Sequence, residues 1–425
     1  MTVNPPLIVP NAAVPVVSLV AAGWDAAPVD LPFVFATGIE CSAPIVAGGV
    51  RHDQLLSTGH WTRFAEDAAL VRELGIPFLR YGIPFHVVAR EPGTFDWDWT
   101  DRALAVLREE GIAPIVDLLH FGVPDDIAGI GDPRLVARYV SFVEAFVERY
   151  PWIRWFTPVN EPYITALFSG RRGYWNERGT DDAAFVRALD TIVECAVRGA
   201  SVIRSAVDDA VIVQSDACDA YFPETRAAEA HAALLDEQVF LGFDLTLGRT
   251  PSSEVLAWLS AHGMDETRVA WFLDNAVESP FIVGLDYYQG NERLVAADGR
   301  IRADPDPGGF AVMARRWLDR YGLPVMLAET NMVSERAVEW LETCWSQAME
   351  LREEGRDLVG FCWYSLTDQV DWDIVLREFR GHVNSLGLVD LSRRLRPVGA
   401  AYAELAQFVV GGELPPIEAP EEQVA

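Results

Sequence analysis

Trp155-Phe156-Thr157-Pro158-Val159-Asn160-Glu161-Pro162 is a short apolar run that closes on a carboxylate and a proline. Its aromatic and β-branched residues read as a strand, and the proline bounds it. A charge at the end of a buried strand belongs at the rim of a sheet, where it can meet solvent or a ligand. The pattern returns far along the chain at Pro324-Val325-Met326-Leu327-Ala328-Glu329-Thr330-Asn331. Working outward from strands at 155–161 and 325–329, six further runs of the kind appear, at 33–40, 78–85, 113–120, 211–216, 281–289 and 358–366. Apolar-periodic segments separate them, at 63–74, 101–110, 133–149, 183–206, 311–321 and 336–354. Four of these end at a glycine (Gly75, Gly111, Gly322, Gly355), the residue that relieves a left-handed cap.

Eight strands alternating with helices predict a parallel sheet with crossover helices, and eight is the number that closes a (β/α)8 barrel. The strands are apolar on both faces, as a doubly covered sheet requires. A doubly wound open sheet is the rival, but no G-x-G-x-x-G follows the first strand. The expected organisation is one α/β domain, a TIM barrel over 33–410. A Pro- and Ala-rich extension precedes it at 1–32, and a Pro- and Glu-rich tail at 411–425 reads as disordered. Residues 249–278 carry helical character within a long connection, and 304–309 (Asp-Pro-Asp-Pro-Gly-Gly) are a loop signal.

Composition prunes the chemistry. The 425 residues are half hydrophobic and 23% charged, with a net charge of -29. Such acidity argues against nucleic acid and anionic membranes as partners. All 34 basic residues are arginine, which excludes Schiff-base, PLP and P-loop mechanisms, because each needs a lysine amine. The Arg-, Ala- and Asp-rich, lysine-free composition points to a high-GC bacterial source. Cys41, Cys195, Cys218, Cys344 and Cys362 form no Cys-x-x-Cys pair, which fits reduced thiols in a cytoplasmic protein. No basic residue precedes the apolar stretch 14–22, so it lacks the n-region of a signal peptide, and no apolar run is long enough to span a membrane. His52, His60, His86, His231, His262 and His382 show no metal spacing. No metal or cofactor is expected.

A barrel of this kind works at the C-terminal ends of its strands. Those ends carry Glu40, His120, Asn160, Glu161, Asp216, Tyr287, Tyr288, Glu329 and Trp363 to Trp372, with Arg80 inside the second strand. Carboxylates, amides, an imidazole and aromatics on one rim suit a neutral polyhydroxylated ligand, and two distant glutamates suggest an acid and a nucleophile for glycoside hydrolysis.

Thr157-Pro158-Val159-Asn160-Glu161-Pro162 resembles the Thr-x-Asn-Glu-Pro signature of glycoside hydrolase family 1, the β-glucosidase-like enzymes. Other segments resemble that family in the right order. Glu66-Asp67 and Leu74-Gly75-Ile76-Pro77-Phe78-Leu79-Arg80-Tyr81 look like its first helix and second strand. Gly111-Ile112-Ala113-Pro114 through His120-Phe121-Gly122-Val123-Pro124 looks like its third strand and His-Trp-x-x-Pro turn. Gly284-Leu285-Asp286-Tyr287-Tyr288 is similar to Gly-x-Asn-Tyr-Tyr, Ser365-Leu366-Thr367-Asp368-Gln369-Val370-Asp371-Trp372 to Ser-Leu-x-Asp-Asn-x-Glu-Trp, and Leu386-Gly387-Leu388-Val389 to Phe-Gly-Leu-Val.

The resemblance implies a divergent retaining β-glycosidase acting on a small glycoside or oligosaccharide. Glu161 would be the acid/base and Glu329 the nucleophile. Arg80, His120, Asn160, Tyr288, Asp371, Trp372, Trp363, Tyr364 and Glu40 would hold the sugar. The sequence departs from the family at Glu40-Cys41-Ser42-Ala43-Pro44, where a Tyr-Gln pair is usual, at Asp371 for Glu, at Tyr364 for Trp, at Thr330-Asn331 for Asn-Gly, and at Phe121 for Trp. The catalytic pair is intact while the sugar-binding set is altered, so two alternatives stand beside hydrolysis. One is a silent sugar-binding protein on the same fold, the other a transglycosidase. The loop Tyr174-Trp175-Asn176-Glu177 is expected either to form an outer sugar platform or to close the rim.

Overall fold

Each of the eight runs begins a strand within one residue of its expected start in the computed structural model, which describes residues 16–19, 29–277 and 281–412. The barrel strands are β1 (Val34–Ile39), β2 (Phe78–Gly82), β3 (Ala113–Asp117), β4 (Trp155–Thr157), β5 (Val211–Ala217), β6 (Phe281–Asp286), β7 (Val325–Glu329) and β8 (Leu358–Trp363). They pair in parallel in chain order, and β8 returns to pair with β1, closing the ring. All their residues are buried except Trp155, because side chains facing the axis and side chains facing the helices are both covered.

The helices wrap this ring: α1 (His60–Glu73), α2 (Asp98–Glu109), α3 (Arg134–Arg149), α4 (Asp182–Ala206), α5 (Glu229–Val239), α6 (Phe310–Tyr321), α7 (Ala337–Glu353) and α8 (Pro397–Val410). Gly75, Gly111, Gly322 and Gly355 follow their helices at φ 72, 71, 60 and 74°, the conformation expected of a C-terminal cap. Asp67 of α1 ties the outer layer to the barrel. It meets His60 Nδ1 at 2.7 Å and takes both prongs of Arg393, while His60 Nε2 lies 3.0 Å from the Tyr81 hydroxyl of β2.

Several strands end earlier than expected. The regular strands end at Gly82, Asp117, Thr157, Asp286 and Trp363, rather than at 85, 120, 161, 289 and 366, although single backbone bonds continue past them, as from Ile83 N to Asp117 O and from Tyr287 N to Glu329 O. The reason is burial past the last ladder bond. Ile83, Leu118, Leu119, Val159 and Leu366 are all covered, so the apolar pattern runs on into loops folded over the rim. Glu161 therefore does not end a strand. It stands at the N-terminus of a short helix, Pro162–Ala166.

Three elements have no counterpart in the sequence expectations. Ala220–Pro223, Glu292–Val295 and Ile301–Ala303 form a small mixed sheet that links the loops after β5 and β6. Helix α8 packs its Tyr402 hydroxyl into the closing seam: it donates to Ala36 O of β1 and accepts from Trp363 N of β8. Val16–Leu19 and Val29–Pro32 form an antiparallel pair before β1. The rest of the N-terminal extension and residues 413–425 of the expected tail lie outside the described residues. The segment at 249–278 forms two helices, Ser253–Ala261 and Glu266–Asp274, and 304–309 is a loop.

Candidate active site

Arg80 organises the centre of the rim. An arginine buried to 2% exposure inside a barrel strand needs partners for its charge, and β2 aims it at the C-terminal mouth. Its Nη1 donates to Glu329 Oε1 and to Ala328 O; its Nη2 donates to Asn160 Oδ1 at 2.8 Å and Ser215 Oγ at 3.1 Å. The second Glu329 oxygen accepts from the Tyr288 hydroxyl at 2.7 Å. Burial first, then the neighbouring Glu329 and Asp286, hold the Tyr288 phenol well above its usual range, so it remains a donor. Both oxygens of Glu329 thus accept charge-assisted or phenolic hydrogen bonds at the end of β7.

Glu161 faces the same space under opposite conditions. Its backbone is held at φ 42°, ψ 67°, a left-handed conformation that a glutamate adopts only when its surroundings impose it. Three contacts impose it. Glu161 N donates to Ser215 O, Thr165 N donates to Glu161 O, and Asp216 Oδ2 accepts from Tyr163 N at 2.7 Å, fixing the turn that follows. Burial, reinforced by Asp286, Glu329 and Asp216, holds the Glu161 carboxyl well above the usual carboxylate range. It keeps its proton where an exposed glutamate would have lost it.

Asn160 connects the two halves. Its Oδ1 takes Arg80 and Ser215, and its Nδ2 lies 3.3 Å from His120 Nε2. His120 Nδ1 lies 2.8 Å from Asp117 Oδ2, which sets the ring's orientation. Tyr364 is stacked parallel to His120 with ring centroids 6.2 Å apart, and its ring lies 5.2 Å from the Arg80 guanidinium carbon. That ring fits only because residue 38 is glycine: a Cβ there would come within 2.2 Å of it.

A cavity of about 430 Å3 opens above this floor. Glu40, His120, Glu161, Tyr288, Glu329 and Trp372 line it, together with Phe121, Phe168 and a ring of amides: Gln289, Asn291, Asn331, Gln369 and Asn384. Glu40 accepts from Ser42 N at 2.8 Å, and burial lifts its carboxyl above the usual range. A protonated Glu40 offers one donor and one acceptor, as an amide would. A second depression, about 470 Å3, lies outside the barrel against Val140, Arg198 and Trp271, and no carboxylate lines it.

Three expected sugar contacts stand elsewhere. Asp371 is fully buried and turned away from the cavity. Its carboxylate accepts from Arg380 N, Gly381 N and His382 N at 2.7, 2.9 and 2.8 Å and meets His52 Nε2 at 3.1 Å. Trp363 is a core residue whose indole donates to Leu386 O. Tyr364 lies beneath Arg80 and donates to Ile39 O. The Tyr174–Glu177 loop closes the rim: Trp175 is buried, packs on Phe121 and Trp372 and donates to Val375 O, while Glu177 accepts from Ile130 N and Gly131 N.

Sequence reasoning missed Asp117, Ser215 and Asp286 as members of this floor, and Asp216 as the anchor of the Glu161 turn. The signal was available for the carboxylates. Each ends, or nearly ends, an apolar strand, as Glu329 does.

A family model described as Glycosyl hydrolase family 1 matches residues 50–247. Aryl-phospho-beta-D-glucosidase BglC of Bacillus subtilis (strain 168) is 20% identical over 409 residues, covering 80% of this chain and 82% of the relative. Beta-glucosidase A of Thermotoga maritima is 20% identical over 359 residues, covering 74% and 78%. Among solved structures, the beta-glucosidase from Thermotoga maritima in complex with azafagomine matches with a TM-score of 0.76 at 18% identity, over 89% of this chain and 98% of that one. At that identity the structural likeness speaks to the fold.

Proposed function

We infer that the chain is a divergent member of glycoside hydrolase family 1, and from that premise we propose a retaining β-glycosidase in which Glu161 is the acid/base and Glu329 the nucleophile. One observation carries the assignment. Two glutamates share a cavity, one held protonated by burial, the other accepting from a guanidinium and a phenol. Environments that separate two carboxyls in this way separate their roles.

In the first step Glu329 Oε attacks the anomeric carbon, and the Glu161 proton passes to the leaving glycosidic oxygen as that bond breaks. The nucleophile becomes an ester and its negative charge beside Glu161 disappears. Glu161, now a carboxylate, takes a proton from water as the water oxygen attacks the anomeric carbon. The ester bond breaks, and Glu329 recovers its charge against Arg80 and Tyr288. His120 and Trp372 line the cavity and would meet sugar hydroxyls and a sugar face, with Asn160 beneath them joining His120 to Arg80.

The lining also bears on the substrate. It carries five carboxyl side chains (Glu40, Glu161, Asp219, Glu329, Asp373), of which burial holds Glu40 and Glu161 toward the neutral acid, against one guanidinium, Arg293, which faces Asp219 at 3.3 Å. His120, the remaining lining group able to take up a proton, faces Asp117. This balance favours a neutral glycoside over a phosphorylated one.

A 2-deoxy-2-fluoro aryl β-glycoside tests the roles. Inactivation with the label on the peptide containing Glu329 is expected. Complete inactivation with the label on another residue overturns the assignment.

A further inference from the structure

Asp286 is the carboxyl that the proposed mechanism leaves unused. It ends β6, its side chain is fully buried, and neither of its oxygens has a hydrogen-bond partner. Arg80 is close, with Nη1 at 3.8 Å from Oδ1, yet its four Nη hydrogens are committed elsewhere and its Nε–H makes no hydrogen bond. The two Nη1 hydrogens go to Glu329 and Ala328 O, and the two Nη2 hydrogens to Asn160 and Ser215. The Ser215 hydroxyl lies close enough to Asp286 to favour its charged form, but its single hydrogen is directed to Asn160 Oδ1 at 3.0 Å.

The other groups facing Asp286 give a carboxylate little support. They are Glu329 on β7, Asp216 on β5, Glu161 and Tyr288 on the rim loops, and the thiols Cys218 and Cys362. A buried carboxylate with no hydrogen bond, set beside a second carboxylate that already holds the shared arginine, is an expensive arrangement. A carboxylic acid in that place costs far less. The sequence motif agrees, since the family pattern Gly-x-Asn-Tyr-Tyr has a neutral amide where this chain has Asp286.

We propose that Asp286 works as a neutral carboxylic acid, a positioning residue that fills an amide's place beside Glu329 and leaves Arg80 committed to it. The acid then has a second consequence. Once Asp286 loses its proton, it competes for the Nη1 hydrogens that orient Glu329, so its ionisation switches the site off from the alkaline side. This inference rests on the roles assigned to Glu161 and Glu329, but its first test needs no turnover.

Infrared difference spectra of wild type minus Asp286→Asn, taken at neutral pH, report the protonation state directly. Loss of a protonated-carboxyl carbonyl band in the variant is expected, and loss of a carboxylate band overturns the proposal. The second readout is the pH dependence of kcat/KM on an aryl β-glycoside. With a neutral Asp286, the variant keeps the acid limb in place, and the alkaline limb stays or moves up, because one route to inactivation has gone. With an ionised Asp286, removing its charge lets Glu161 and Glu329 both titrate lower. Both limbs then fall by about one unit or more, which sinks the idea. Asp286→Leu, similar in shape and unable to titrate, gives the same two readouts if the amide variant does not fold. A protein that gives the expected infrared result but no turnover would indict the glycosidase reading and leave the protonation state of Asp286 standing.

Discussion

Asp371 and Glu329 show what a single residue discloses in sequence and what it conceals. Both are acids in recognisable motifs at the barrel mouth. Glu329 points into the cavity, while Asp371 spends its oxygens on three successive backbone N–H groups and a histidine. Spacing cannot separate these fates, because a loop that turns back on itself presents N–H groups that attract a carboxylate as strongly as a sugar does. Six expected site residues do converge on one network: Arg80, His120, Asn160, Glu161, Tyr288 and Glu329. The difference at Asp371 is testable. Asp371→Glu lengthens a side chain that has no room to grow, so stability falls by an amount on the order of 1–3 kcal/mol for the disturbed N–H groups, and the thermal midpoint falls with it. KM for aryl glycosides does not improve. A lower KM at an unchanged midpoint would show that this carboxylate reaches the sugar after all.

At the scale of elements, strand starts were legible and strand ends were not. Starts follow polar or glycine-rich turns, which the sequence marks. Ends dissolve into buried loops such as Leu118–Leu119 and Val159, which roof the barrel while regular pairing gives way to single bonds such as Leu118 N to Thr157 O. The short rim sheet was invisible because its strands are brief and partly exposed, as in Ile301–Ala303. The helix Pro162–Ala166 serves the proposed acid/base as an element. It fixes the direction in which Glu161 leaves its turn, and Asp216 anchors its first free N–H. Asp216→Ala loses that anchor, which is worth about 1 kcal/mol of local stability. A drop in kcat on the order of 10-fold to 100-fold is expected, with KM nearly constant, because misplacement hurts the proton transfer more than sugar binding. Asp216→Asn keeps an acceptor oxygen and recovers most of the rate. Steady-state kinetics on the pair checks this, and equal defects in both variants would contradict it.

For the molecule as a whole, the active floor is a liability to folding. Burial holds Glu161, Asp216 and Asp286 well above the usual carboxylate range. Above about pH 4 the unfolded chain releases these protons while the native state keeps them. The native state then binds more protons than the unfolded one, and stability declines as pH rises from there toward the folded-state values. Glu161→Gln removes one such proton. Its thermal midpoint relative to wild type is expected to rise as pH increases above about 4, toward the folded-state value of Glu161, while activity collapses. Calorimetric scans across that range check the slope, and a constant difference at every pH would refute the linkage.

The Tyr402 hydroxyl, clasped between the first and last strands, also sets a schedule. On the ribosome, β1 emerges before β8 and waits for it through more than three hundred residues of synthesis. Its open edge must stay shielded throughout, since an unpaired strand edge invites association with other nascent chains. The ring is latched only when α8 clears the exit tunnel. Until then the floor of the cavity hangs on an unclosed sheet, and the seam waits for that hydroxyl.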